Sequence, residues 1–111
     1  MDNKWEELYD AAEQGHLQAQ VYLALCYFTG EGVKPDLAKA FSIWTAAADF
    51  GNRDAMRYLG ILYANGTGVK KDTKRAMELF AAAAKKGDKE AASYYEQLRL
   101  DSSVPAPKSI K

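Results

Sequence analysis

His16 and Cys26 are the only histidine and the only cysteine of the 111-residue chain. Nucleophilic catalysis of the Ser/His/Asp or Cys/His kind needs an imidazole beside a nucleophile and a third group to orient it. His16 stands next to Gly15 with no second ligand or nucleophile at a meaningful spacing, so it reads as a solvated loop residue. Cys26 alone can make neither an intrachain disulfide nor a cysteine-based metal site, which fits a reducing compartment. It reads as a small hydrophobe, buried at the place Leu62 and Leu98 take later in the chain. Neither a catalytic set nor a cofactor or metal site is expected.

Other motifs invite chemistry and then withhold it. Gly30-x-Gly32 and Gly66-x-Gly68 look like phosphate-cradling loops, but no strand pattern precedes them and no Lys-Ser/Thr or third glycine follows. Asn65-Gly66-Thr67 fits a glycosylation acceptor, yet it lies inside a repeat turn of a sequence whose start does not read as a secretory signal, so coincidence is the expectation. Lys70, Lys71, Lys74 and Arg75, with Lys85, Lys86 and Lys89 further on, form basic runs that would touch RNA if stacking aromatics lay beside them. They read more simply as a solvated face.

The chain has the size of one domain, and a hydrophobic content of 48% suffices for a core without staples. Formal net charge is zero, which argues against a protein that works by neutralising many phosphates. The two halves differ: residues 1–55 carry four Lys/Arg and nine Asp/Glu, net −5, and residues 56–111 carry eleven and six, net +5. The acidic, amphipathic start Met1-Asp2-Asn3-Lys4-Trp5-Glu6-Glu7-Leu8 is unlike a signal peptide, and no apolar run approaches the ~20 residues of a membrane span. A cytoplasmic location away from membranes is the expectation.

What positions all these residues is a repeat. Gly15, Gly51 and Gly87 are 36 residues apart, as are Ala19, Ala55 and Ala91, and the pair Ala11-Ala12 returns as Ala47-Ala48 and Ala83-Ala84. Tyr27 pairs with Tyr63, Gly30 with Gly66, Gly32 with Gly68, Val33 with Val69, Asp36 with Asp72, and Leu8 with Trp44 and Phe80. Such a period defines a repeat architecture. Ala19, Leu23 and Tyr27 step by four and Ala40, Trp44, Ala47 and Ala48 share one helical face, so each repeat is a pair of helices. The predicted fold is all-α, an alpha-alpha superhelix of antiparallel pairs, with six helices near 4–14, 17–29, 36–50, 53–65, 72–86 and 89–100.

The organisation follows: a half repeat over 1–15, repeats over 16–51 and 52–87, and a final helix over 88–100. Lys4, Glu96 and Arg99 replace the apolar or small residues of internal repeats, which suits solvent-facing ends. Residues 101–111 hold two prolines and no helical period, and read as a flexible tail that would dock in a neighbouring copy's groove if it docks at all.

The pattern Ala19-x3-Leu23-Ala24-x2-Tyr27-x2-Gly30-x-Gly32-Val33-x2-Asp36-x3-Ala40-x3-Trp44-x2-Ala47-Ala48-x2-Gly51 resembles the Sel-one-like repeat, a relative of the tetratricopeptide repeat, and Ala55 to Gly87 repeats it with Leu59-Gly60 intact. The resemblance covers most of residues 4–100. It implies a right-handed superhelix, commonly bacterial, serving as an adaptor or scaffold without catalysis.

On each first helix the arc opposite the packed residues then lines a concave groove, as the resemblance to tetratricopeptide proteins implies. That arc holds Val21, Tyr22, Leu25 and Phe28, then Arg57, Tyr58, Ile61 and Asn65, then Tyr94 and Gln97. Aromatic and aliphatic side chains with an arginine are the usual anchors of an interface, so these residues are the candidate partner-binding set. Tyr22, Tyr58 and Tyr94 recur at one offset and equally suit a structural role against the adjacent helix, and Phe28 equally suits a place against the Gly30 connector. The expected partner is a protein or peptide. The alternatives are an immunity or inhibitor protein blocking one toxin or enzyme, an RNA-binding helical repeat, and self-association through the terminal helices or the tail.

Overall fold

The computed structural model describes residues 4–101. It contains six helices: α1 (Lys4–Glu13), α2 (Leu17–Thr29), α3 (Leu37–Asp49), α4 (Arg53–Asn65), α5 (Thr73–Lys85) and α6 (Lys89–Asp101). Each packs on the next in order, and α4 also touches α6 across α5. This is the antiparallel helix-pair solenoid that the 36-residue period predicts. Asp101 belongs to α6 and not to a tail, and the tail reading for the rest lies outside the described residues.

Helix starts follow from side chains that accept from otherwise orphaned N–H groups. Asp36 takes the Lys39 N–H and Asp72 the Arg75 N–H, both at 3.0 Å. Asn52 takes the Ala55 N–H at 2.8 Å, and Asp88 takes that of Ala91 at 3.0 Å. His16 precedes α2 and makes no such bond. At the ends of α2 and α4, Gly30 (φ 81°) and Gly66 (φ 70°) adopt the left-handed turn that closes a helix. The chain then folds back, so that the Asp36 N–H reaches the Tyr27 carbonyl at 2.8 Å and the Asp72 N–H that of Tyr63 at 2.9 Å. Both connectors are thereby fastened to the helix they leave.

Small and large residues alternate at the helix contacts. Ala24, Ala40, Ala55, Ala76, Ala83 and Ala91 have no exposed surface, and Trp44 and Phe80 are almost wholly buried between them. Gly60 shows how tight this is: a Cβ there would lie 2.7 Å from Phe80 Cε1, so the ring occupies the space a side chain would need. Trp44 also donates its indole N–H to the Val21 carbonyl at 3.1 Å, satisfying a polar atom that burial would otherwise penalise.

Two expectations fail here. Arg99 is buried where a solvent-facing end was expected; its stem takes the place of Tyr27 and Tyr63, and its guanidinium pairs with Glu96 one turn back. Cys26 is only half-buried; burial and then the Glu31 carboxylate push its thiol above the ordinary value.

Candidate functional site

α2, α4 and α6 are repeat-equivalent, and positions 36 apart form rows across one face of the molecule. The first row, Gln18, Asp54 and Glu90, is polar and linked. The Gln18 amide donates to Asp54 at 3.3 Å and accepts from Asn52 at 3.0 Å. From the second row Arg57 reaches Asp54 (2.9 Å) on its own helix and Asp88 (2.9 Å) and Glu90 (3.2 Å) at the start of α6. Burial works against the charge on Arg57, but its bond to Asp88 and the Asp88 charge outweigh this and hold the guanidinium protonated beyond its ordinary range. Asp88 is likewise pushed up by burial and pulled further down by Arg57 and the Ala91 N–H, so it stays ionised.

Arg57 is therefore a strut between helices, not the free anchor the sequence suggested. All three of its nitrogens are engaged, and its guanidinium also lies 4.6 Å from the centre of the Tyr58 ring. Val21, in the same row, is also misplaced by the helical-wheel reading. It is 1% exposed and belongs to the core beside Trp44. The physical reason is common to both: α2 and α4 each pack on a helix before and a helix after, so their buried arcs exceed half the circumference and the outward stripe is narrow.

The third row carries the tyrosines. Tyr58 stacks on Trp44 with centroids 4.7 Å apart and Tyr94 on Phe80 at 5.1 Å, so both lean on the neighbouring helix. Tyr22 has no such support, because the position equivalent to Trp44 and Phe80 is Leu8, and the residue is 61% exposed. Phe28 is half-buried with its ring 5.7 Å from that of Trp44, and the space beside Gly30 is taken by Pro35. Leu25 and Ile61 are half-buried, and Asn65 and Gln97 are exposed.

Four of the expected residues come together in one cleft of about 370 Å³: Ile61, Asn65, Tyr94 and Gln97. The sequence reading missed its other walls, chiefly Phe80, Leu98, Lys71, Thr73 and Asp101. They come from α5, the connector before it and the far side of α6. Only the adjacency of α4, α5 and α6 around an inter-repeat junction could have signalled them. Phe80 is the cleft's buried lining residue, and Asn65, Lys71, Gln97 and Asp101 are exposed polar ones. Among the described residues no group of His, Cys, Asp and Glu is placed to hold a metal, and no helix is long and apolar enough to cross a membrane.

The family model for the Sel1 repeat matches residues 17–52 and 53–88, and this chain belongs to the Sel1 repeat family. Its proteins are generally protein-interaction modules and typically non-catalytic scaffolds. No curated protein matches the sequence. Among solved structures the chain is similar to a Sel1 repeat protein from Oxalobacter formigenes, at 33% identity and a TM-score of 0.76 over 84% of this chain and 38% of that one. It is similar at 33% identity and a TM-score of 0.82 to a protective antigen of uropathogenic Escherichia coli displaying an SLR fold, over 88% of this chain and 21% of that one. Cysteine rich protein B of Helicobacter pylori matches at 27% identity and a TM-score of 0.73, over 85% of this chain and 72% of that one. The chain thus spans well under half the length of the first two.

Proposed function

We propose that the protein is an adaptor that holds a peptide segment of a partner protein on the face formed by α2, α4 and α6. The observation that supports this best is the apolar stripe along that face: Tyr22 and Leu25 on α2, Ile61 on α4, and Tyr94 beside the cleft on α6. Two exposed rings, Tyr22 and Tyr94, beside half-buried Leu25 and Ile61 and a cleft at α4 and α6, are the kind of surface that interface hot spots use. The family's general role as interaction modules agrees with it.

The test compares the intact protein with a Tyr22→Ser, Leu25→Glu, Ile61→Glu variant as bait, with circular dichroism to show that both are helical. A partner captured by the first and lost by the second is the expected result. A partner held equally by both moves the site off this face.

A further inference from the structure

We infer that the cleft between α4, α5 and α6 takes one aromatic side chain, phenylalanine above all, from the peptide held on this face. The inference rests on the peptide reading above and names the residue that anchors the segment.

The junction one repeat earlier shows what such a place holds. α2 and α4 have the same length and close on equivalent left-handed glycines, Gly30 and Gly66, so Phe28 and Ala64 leave their helices at the same point and in the same direction. In the first junction the Phe28 ring lies 5.7 Å from that of Trp44, tilted by 49°, and Trp44 in turn stacks on Tyr58. In the second, Phe80 stacks on Tyr94 in the same way, but Ala64 stands where Phe28 carries its ring, and it lines the cleft. Two further walls are smaller than their counterparts: Phe80 stands for Trp44, and Thr73 for Leu37. The cleft is thus the place of a missing phenyl ring, widened by smaller neighbours, and about 370 Å³ is open.

An entering ring meets Phe80 and Tyr94 as Phe28 meets Trp44, in the tilted or offset geometry that aromatic groups favour. At the opening Asn65 and Gln97 are exposed, and each amide brings donors and an acceptor for the backbone of the segment that carries the ring. The part of this chain that leaves from the cleft does not supply the ring. Residues 102–111 follow Asp101, itself a lining residue, and contain no aromatic side chain; their large apolar residues are Val104 and Ile110. The ring therefore comes from another molecule.

The isoleucines of the chain are Ile43, Ile61 and Ile110, so the isoleucine δ1-methyl NMR spectrum of the intact protein reads the cleft through Ile61, with Ile43 in the other core cluster as internal control. N-acetylphenylalanine amide should shift the Ile61 methyl saturably, with a Kd on the order of 1–10 mM, and leave Ile43 in place. N-acetylalanine amide should move neither signal. Ala64→Phe should keep an unchanged or higher urea midpoint, since the first junction already holds that ring, and should weaken the response of Ile61 to the phenylalanine probe about tenfold or more. An Ile61 methyl that answers both probes alike, or Ala64→Phe with a markedly lower midpoint, overturns the assignment. So does self-association of the parent that Phe50→Ser abolishes, which would seat a second copy's exposed Phe50 in the cleft. An Ile110 methyl that moves in Ala64→Phe would seat the chain's own C-terminal residues there and overturn it too. None of these results touches the peptide reading, which fails separately, when a partner is held equally by the parent and by the Tyr22→Ser, Leu25→Glu, Ile61→Glu variant.

Discussion

α2 and α4 are the same helix in two successive repeats, with 13 residues each and the same αL glycine closure, yet they present opposite surfaces. α4 spends its outward side chains on its neighbours: Arg57 on Asp54, Asp88 and Glu90, and Tyr58 on Trp44. α2 has Val21 in place of the arginine and faces Leu8 instead of an aromatic ring, so Tyr22 is left standing in water. Both helices bury a core face, but α4 ties its outward side chains to its neighbours and α2 leaves Tyr22 free. The lesson is that repeat equivalence fixes where a side chain sits, while the partner one helix away decides whether it is structural.

The sharpest way to break the comparison is to remove the ring on which α4 depends. Trp44 is nearly fully buried, stacks on Tyr58, packs against Phe28 and bonds the Val21 carbonyl. Trp44→Ala should cost about 3–5 kcal/mol in urea unfolding, whereas Tyr22→Ala should stay within about 0.5 kcal/mol. Similar costs for the two would mean that Tyr22 is packed after all and that α2 is not the free surface.

Removing the strut comes next. Arg57→Ala leaves the buried Asp88 carboxylate without its partner, and a loss of about 2–3 kcal/mol at neutral pH is expected. The sign of its pH dependence follows from the Asp88 carboxyl being held below its ordinary value of 3.8. A depressed carboxyl contributes stability that is complete above the unfolded value and is lost as pH falls through the lower folded value. The gap between parent and Arg57→Ala should therefore be constant from neutral pH down to about pH 5 and shrink below the unfolded value. A gap that persists into strong acid would assign the loss to packing of the arginine stem alone.

These contrasts mark what was legible beforehand. The helices fall within one residue of the boundaries drawn from the 36-residue spacing, because glycines and capping aspartates answer to backbone requirements that a sequence shows directly. Exposure was harder. A helical wheel centred on Ala19, Leu23 and Tyr27 places Val21 outward, since it counts one packed side where the solenoid supplies two. The carboxylates of Arg57 come partly from 31 and 33 residues away, beyond any helical wheel, though one repeat length less a turn would have reached them. The tyrosine stacks were readable in principle: Tyr58 and Tyr94 follow Trp44 and Phe80 at one fixed interval, and Tyr22 follows Leu8 at the same interval without a ring to meet.

The smallest expected effect concerns how α2 begins. Asn52 and Asp88 cap α4 and α6 through the third helical N–H, and His16 leaves the equivalent N–H of Ala19 without a side-chain acceptor. Aspartate at this place reproduces the Asp88 bond and sets a negative charge at the positive end of the helix dipole, so His16→Asp should stabilise the protein by about 1 kcal/mol. The check is a higher urea midpoint together with slower amide hydrogen exchange at Ala19. Unchanged exchange there would show that the α2 terminus is already held by backbone contacts, which would remove capping from the list of differences between the two helices. A gain in stability with peptide affinity unaltered would separate the uncapped start of α2 from the face proposed to bind, because Tyr22 and Leu25 lie one and two turns beyond the first helical residue. A gain accompanied by weaker binding would instead make the uncapped turn part of the surface, since fixing it would then cost the groove the adjustment by which it accepts its peptide.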